Sequence, residues 1–427
     1  MRIRGTCFSA LLFTTALVAA ATLSQAAAAD DTAPVQSGPT LHAQAAADSA
    51  AAGQENSSPY RLHLMYTGEE WHNDGSHKTG NVYMQNVYAA MNVDADRAFG
   101  WKGASFQVAG FYNTAKSLDA NYVGGYIDQS LIDTGGTEMV RLYQAYYKQE
   151  IGTQDGFVLG IYDLQTAFGN TKPMGLFMGG SYAWTSTLDQ SEDRVSTYPS
   201  TALAARYWHT FDKNWSVQAA IADGIPDSPK YPKVTTINFN RNYGAFMIGE
   251  VDYRTTNRTK LMAGYWGYTG KFDDLDTTAA DGSVEEKFGN SGGYVGGATR
   301  IFDQGEGRGI DAFTTIGWSD SSVNQANRTI NLGLTYTGPF AVRPDDRAGI
   351  AFSTSGTSNA YKHSQTVQGL GVENYESNFE ATYRAQICDW LTVQPDVQYF
   401  IDPNMDPTLK NDLVVGIHFE IGHVFGL

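Results

Sequence analysis

The sequence predicts an all-β fold: a transmembrane antiparallel β-barrel of 16 strands, with short periplasmic turns and long extracellular loops. Three observations carry that expectation. The C-terminal segments alternate strictly between apolar and polar side chains. Each alternating segment is about 9–11 residues long, enough to cross a bilayer as a tilted strand. The connections alternate between short turns and long, polar, Gly-rich stretches.

The elements follow in order. Arg2 and Arg4, an apolar stretch from Phe8, and the small residues Ala27-Ala28-Ala29 have the layout of an export signal over 1–29. Its removal leaves one cysteine, Cys388, too few for an internal disulfide. Residues 30–58 are rich in Ala, Ser, Gln, Pro and Gly and read as a disordered periplasmic leader. The barrel is expected over 59–427, with strands at Arg61–Glu70, Val82–Val93, Ala104–Tyr112, Val140–Glu150, Gly156–Tyr162 and Ala202–His209. Trp215–Ile221, Ala245–Arg254, Lys260–Tyr268, Gly293–Ile301, Ile310–Ser319, Thr329–Thr337 and Arg347–Ser355 continue the series. Three strands close it, at Tyr375–Ile387, Leu391–Ile401 and Leu413–Ile421. Long loops are expected at Lys116–Glu138, Leu164–Thr201, Asp223–Asn242 and Lys271–Ser291. Pro395 lies within a strand and cannot donate to the ladder, so a bulge or a rim position is expected there.

Composition agrees. No apolar run is long enough for a membrane helix, and half-apolar strands keep the mean hydropathy slightly negative. The formal net charge is −16, and no basic stripe is present to neutralise phosphates, which argues against nucleic acid as a partner. No cofactor is expected.

Successive side chains of a strand point to opposite faces, so parity assigns the lumen. With Phe379, Val397 and Tyr399 facing lipid, Glu376, Glu380, Arg384, Gln394, Asp396, Gln398, His418 and Glu420 face inward. Glu250, Asp252 and Arg254 do so opposite Met247, Val251 and Tyr253, and Arg206 and Arg347 have the same sense. Arg or Lys on the lipid face would cost about 2–4 kcal/mol at midplane, which enforces this parity. Opposed acids and arginines can either exchange for the water around a polar solute or brace the wall as ion pairs. Phe177, Tyr182 and Trp184 occupy the longest loop, which can either fold inward and narrow a pore or stay outside.

The segment Phe379-Glu380-Ala381-Thr382-Tyr383-Arg384, then Trp390-Leu391-Thr392-Val393-Gln394-Pro395-Asp396-Val397-Gln398-Tyr399 and Asp402-Pro403, resembles the C-terminal signature of carbohydrate-selective porins of the OprB type. Gly100-Trp101-Lys102-Gly103, Leu142-Tyr143-Gln144-Ala145, Gly160-Ile161-Tyr162-Asp163, Leu332–Pro339 with Arg343 and Asp346, and Leu413-Val414-Val415-Gly416 are similar to further family segments, in the family's order. The resemblance spans roughly residues 60–427. It implies an outer-membrane barrel passing monosaccharides through an eyelet of charged and aromatic residues. Two positions depart from the pattern: the chain closes Val424-Phe425-Gly426-Leu427 rather than on an aromatic residue, and Ile161 stands where the family often has a basic one.

The expected function is therefore passive uptake of glucose-like monosaccharides across the outer membrane of a Gram-negative bacterium, by a monomer surrounded by outer-membrane lipid. The alternatives are a general or ion-selective porin, or a surface β-rich hydrolase or adhesin. Enzymatic readings have little support. His63, His72 and His77 flank Glu69-Glu70 without a tight metal-ligand spacing, and no nucleophile elbow or phosphate loop occurs. Glu376 and Glu380 share a face as a glycosidase pair would, but acidic pairs also line pore walls.

Overall fold

The computed structural model describes residues 58–75, 77–191, 194–228, 230–255, 258–278 and 284–427. The expected export signal and the leader up to residue 57 lie outside the described residues. The strands are β1 (Tyr60–Asp74), β2 (Gly80–Asp94), β3 (Ala104–Asn113), β4 (Met139–Ile151), β5 (Asp155–Tyr162) and β6 (Ala202–Thr210). Then come β7 (Trp215–Asp223), β8 (Asp227–Ser228), β9 (Tyr231–Thr235), β10 (Ala245–Arg254), β11 (Lys260–Thr278) and β12 (Val284–Gly305). β13 (Arg308–Ser319), β14 (Ala326–Thr337), β15 (Arg347–Thr357), β16 (Tyr375–Cys388), β17 (Leu391–Ile401) and β18 (Asp412–Gly426) complete the chain.

Among the described residues, 16 of these strands form one closed antiparallel barrel, and β8 and β9 form a separate small hairpin. All 16 expected strands are present. Closure joins β1 to β18 in a continuous register from Arg61↔Gly426 to Asp74↔Leu413, so neither chain end leaves an open edge. Phe425, the last aromatic residue, pairs with Leu62 at the seam.

The alternation has the sense read from the sequence. Phe379, Val397, Tyr399, Leu413, Val415, Ile417 and Ile421 are 40–49 % exposed on the outer face. Their polar neighbours Glu376, Gln394, Gln398 and His418 are at most 1 % exposed on the inner one. Outward aromatic residues gather beside the short turns, with linked rings at Phe99, Trp101, Phe106 and Tyr147, and a further pair at Trp215 and Tyr253. Amphipathic rings are favoured at that depth, where bilayer meets water.

Two expectations are corrected. The stretch Lys271–Ser291 is not a plain loop: β11 and β12 continue through most of it as a long hairpin with register shifts, and residues 279–283 lie outside the described ones. Strand pairing extends the ladder there despite Gly and Asp, because hairpin partners are held side by side. Pro395 makes neither a bulge nor a rim. The β16–β17 ladder lapses between Thr382↔Asp396 and Ala385↔Val393 and resumes in the same register. The Thr382 hydroxyl donates to the Pro395 carbonyl at 3.3 Å across that gap.

The hydrophobic core lies inside the barrel. Phe246, Ile248, Trp266, Tyr268 and Tyr294 project inward from β10, β11 and β12 and pack with Phe168, Trp184 and Leu188 of the β5–β6 connection. On these strands both faces are apolar near the loop, so lipid and lumen are not separated by hydropathy alone.

Candidate functional site in the barrel lumen

Two connections fold into the lumen. Residues 114–138 join β3 to β4, and residues 163–201 join β5 to β6. A buried loop must satisfy its backbone N–H and C=O groups without water. Here the wall strands supply the partners. Glu376 Oε2 accepts from the backbone N–H of Tyr126 at 2.7 Å, and Oε1 from that of Ile127 at 2.8 Å. The same carboxylate accepts from the Asn404 N–H of the β17–β18 connection at 2.5 Å. Glu380 accepts from Met178 N–H at 2.7 Å and Gly179 N–H at 3.0 Å. Glu250 accepts from Gly169 N–H at 2.7 Å, the Tyr294 hydroxyl at 2.7 Å and the Gln218 amide at 2.8 Å. Wall amides take the loop carbonyls: Gln394 donates to Leu176 O, Gln398 to Gln129 O and Asn331 to Ser181 O, at 2.8, 2.8 and 2.7 Å.

The loops also bind each other. Gly180 N–H donates to Asp128 O at 2.9 Å, and the Gln190 amide donates to Asp128 Oδ2 at 2.9 Å. The aromatic residues of the longer loop serve this docking. Phe177 packs on Tyr182 and Phe313 with ring centroids 5.1 and 5.6 Å apart, and the Tyr182 hydroxyl donates to Asn378 at 3.0 Å. Trp184 is fully buried in the lumen core. Of the two courses open to this loop, the structure takes the inward one: Phe177 and Tyr182 contact the wall and each other, and Trp184 packs in the separate cluster with Phe168 and Phe246.

Outside the strands, burial also governs charge. Burial pushes the Asp119 carboxyl up to about 6, and the neighbouring Asp133 and Asp412 add repulsion. The Gly125 N–H, donating at 2.8 Å, opposes that rise. Burial raises Asp133 as well, against N–H donors from Leu118 and Asp119 at 2.7 and 3.1 Å.

Toward the short-turn end the inner wall carries a second, different set. Arg254 reaches Asp252 at 2.9 Å and Ser216 at 3.0 Å, and Lys260 reaches Asp252 at 3.2 Å. Arg300 holds Asp311 through two bonds of 2.6 and 3.0 Å. Arg384 pairs with Glu420 at 2.6 Å, and Glu420 also meets His418 at 3.1 Å. His418 in turn contacts Glu69 at 2.8 Å. Arg347 stands directly opposite Arg384 in the β15–β16 register and donates to the Lys172 carbonyl at 3.3 Å. Arg206 lies 4.9 Å from the Trp208 ring and bonds Gln218 at 2.9 Å. Arg206, Arg254, Arg347 and Arg384 are half-buried, whereas Glu250, Asp252, Glu376, Glu380, Gln394, Asp396 and Gln398 are buried.

The inward-facing residues read from the sequence thus fall into two groups. Glu250, Glu376, Glu380, Gln394 and Gln398 meet loop backbone, and the arginines with Asp252 form a charged band. Asp396 sits between them, accepting from Gln398 at 3.1 Å. Lys260, Arg300 and Asp311 belong to that band and were not among the residues singled out. Strand parity was the available signal: Arg300 shares the inner face with Tyr294 and Ala298, an even six and two residues away. Among the described residues, no group of three or more His, Cys, Asp or Glu is arranged to hold a metal ion.

The family model for the carbohydrate-selective porin, OprB family, matches residues 78–422. This chain belongs to that family. It is 23 % identical over 402 residues to Porin B of Pseudomonas aeruginosa, covering 84 % of this chain and 87 % of that one. Its fold is similar to the high-pH structure of Pseudomonas putida OprB, with a TM-score of 0.75 at 18 % identity, covering 91 % and 99 % of the two chains. It is also similar in fold to the outer membrane channel DcaP of Acinetobacter baumannii, with a TM-score of 0.50 at 10 % identity, covering 87 % and 99 %. Like other members of the OprB family, the chain is a carbohydrate porin of the Gram-negative outer membrane. Family and fold are those of a channel rather than a catalyst.

Proposed function

We propose that this porin passes glucose-like monosaccharides, by diffusion, through a lumen narrowed by two inward-folded loops. It catalyses no reaction, and it works as a monomer in outer-membrane lipid. Residues 1–29 are its export signal, 30–58 a periplasmic leader, and 59–427 the channel. The observation that carries the reading is the meeting of the loops at Asp128 and Gly180, above the half-buried band of Arg206, Arg254, Arg347 and Arg384. A loop-filled lumen leaves a narrow passage, which excludes large solutes. Guanidiniums and carboxylates already engaged with one another, such as Arg384 with Glu420, can exchange bonds with sugar hydroxyls without holding a sugar tightly.

Liposome swelling with the refolded protein tests this. Monosaccharides should enter faster than amino acids and salts of similar size, and trisaccharides slowly. Equal rates for all small solutes would make it a general porin. One observation favours a second reading. Arg347 faces Arg384 across β15–β16, and two adjacent cations give the lumen a local preference for anions.

A further inference from the structure

We infer that the buried carboxylates Glu376 and Glu380 are positioning residues that set the bore of the channel by clamping loop backbone, and that neither meets solute. This rests on the reading of the chain as a sugar channel. Both side chains are at most 2 % exposed, and backbone N–H groups of the connections donate to both; Glu380 also lies against the Asp396 carboxyl on the neighbouring strand. Glu376 gathers two separate connections at one point, through Tyr126 and Ile127 of one and Asn404 of the other. Glu380 holds the start of the short helix Gly180–Ala183, next to the contact between the two lumen loops. A carboxylate offers two acceptor oxygens and no donor, so it suits paired N–H groups. Glutamine in its place keeps the size but turns an N–H₂ toward those N–H groups.

The clamp can be tested from either side. E376Q and E380Q alter the wall. Gly179→Pro changes the loop and no wall residue: Gly179 has φ −67 and ψ 131, a backbone that proline adopts, and proline deletes the N–H that Glu380 accepts and sets its ring against that carboxylate and Tyr182. Losing one charge-assisted bond should raise the released fraction of the loop about tenfold. In single-channel records this appears as a larger conductance level visited about tenfold more often. In swelling assays the rate for disaccharides should rise relative to glucose. E380Q combined with Gly179→Pro should add little to either alone, since both cut the same contact. Heat-modifiable mobility on detergent gels reports barrel closure for each variant.

The clamp is overturned if closed barrels of E380Q and Gly179→Pro keep the wild-type conductance and the wild-type disaccharide-to-glucose ratio. Should E380Q fail to assemble, Gly179→Pro decides the matter, because every wall residue is kept. The sugar reading fails separately, if wild-type protein conducts ions but admits glucose no faster than non-sugars of its size. Ion conductance still measures the bore in that case.

Discussion

Replacing Arg384 by alanine deletes one positive charge from the short-turn end of the lumen. Arg384 is held by Glu420 at 2.6 Å, and Glu420 keeps His418 at 3.1 Å when the guanidinium is gone. The barrel should therefore still close, with one net negative charge added beside Arg347, its cross-strand partner. An ion passing about 5 Å away through water-like surroundings feels a unit charge at about 0.8 kcal/mol, which is about fourfold in local concentration. Screening length is about 10 Å at 0.1 M salt and about 3 Å at 1 M, so the effect should be near full in dilute salt and fall below about twofold in concentrated salt. The assay is the zero-current potential of single channels across a KCl gradient. The cation-to-anion permeability ratio should rise about tenfold in dilute salt, because cations gain what anions lose. An unchanged ratio at low salt, from a channel that closes and conducts, would refute the placement of Arg384 in the ion path.

Four further outcomes are expected. Gly416→Ala puts a Cβ 2.1 Å from the Trp71 ring at the closing seam, and should cost about 1–3 kcal/mol, read as a lower unfolding midpoint on heated detergent gels. Ile417→Arg places a charge on the lipid face and should cost about 2–4 kcal/mol if it lies near midplane, measured by urea titration in lipid vesicles. Phe177→Ala empties the space between Tyr182 and Phe313, and should loosen the longer loop, seen as faster proteolysis within 163–201 while the barrel resists. Docking of 114–138 should depend on pH through Asp119: its docked pKa of about 6 lies above the ordinary carboxylate value, so the docked state holds the extra proton. Docking is then strongest below about pH 4 and weakens as pH rises to about 6, which hydrogen exchange of the loop would show and Asp119→Asn would flatten.

The alternation of β16, β17 and β18 determined the fold class and their lipid face, because a strand's side-chain period is fixed by its backbone and a charge facing lipid is costly; the succession of such segments from β1 onward gave the strand count. It also placed Glu376, Arg384 and Gln394 on the inner face, since parity needs only neighbouring residues. Parity does not say what an inward side chain meets. Glu376 meets Tyr126 and Ile127, some 250 residues earlier in the chain, and Glu380 meets Met178 and Gly179. Those contacts exist only after the barrel closes and the loops enter it, so backbone N–H groups common to every residue become specific partners. The same closure buries Phe246, Ile248 and Trp266 on a face that hydropathy assigns no differently from the lipid side. The sequence by itself determined which face is which on strands whose inner face is polar; tertiary structure decided it where both faces are apolar, and decided which inward groups hold loops and which remain half-buried in the lumen.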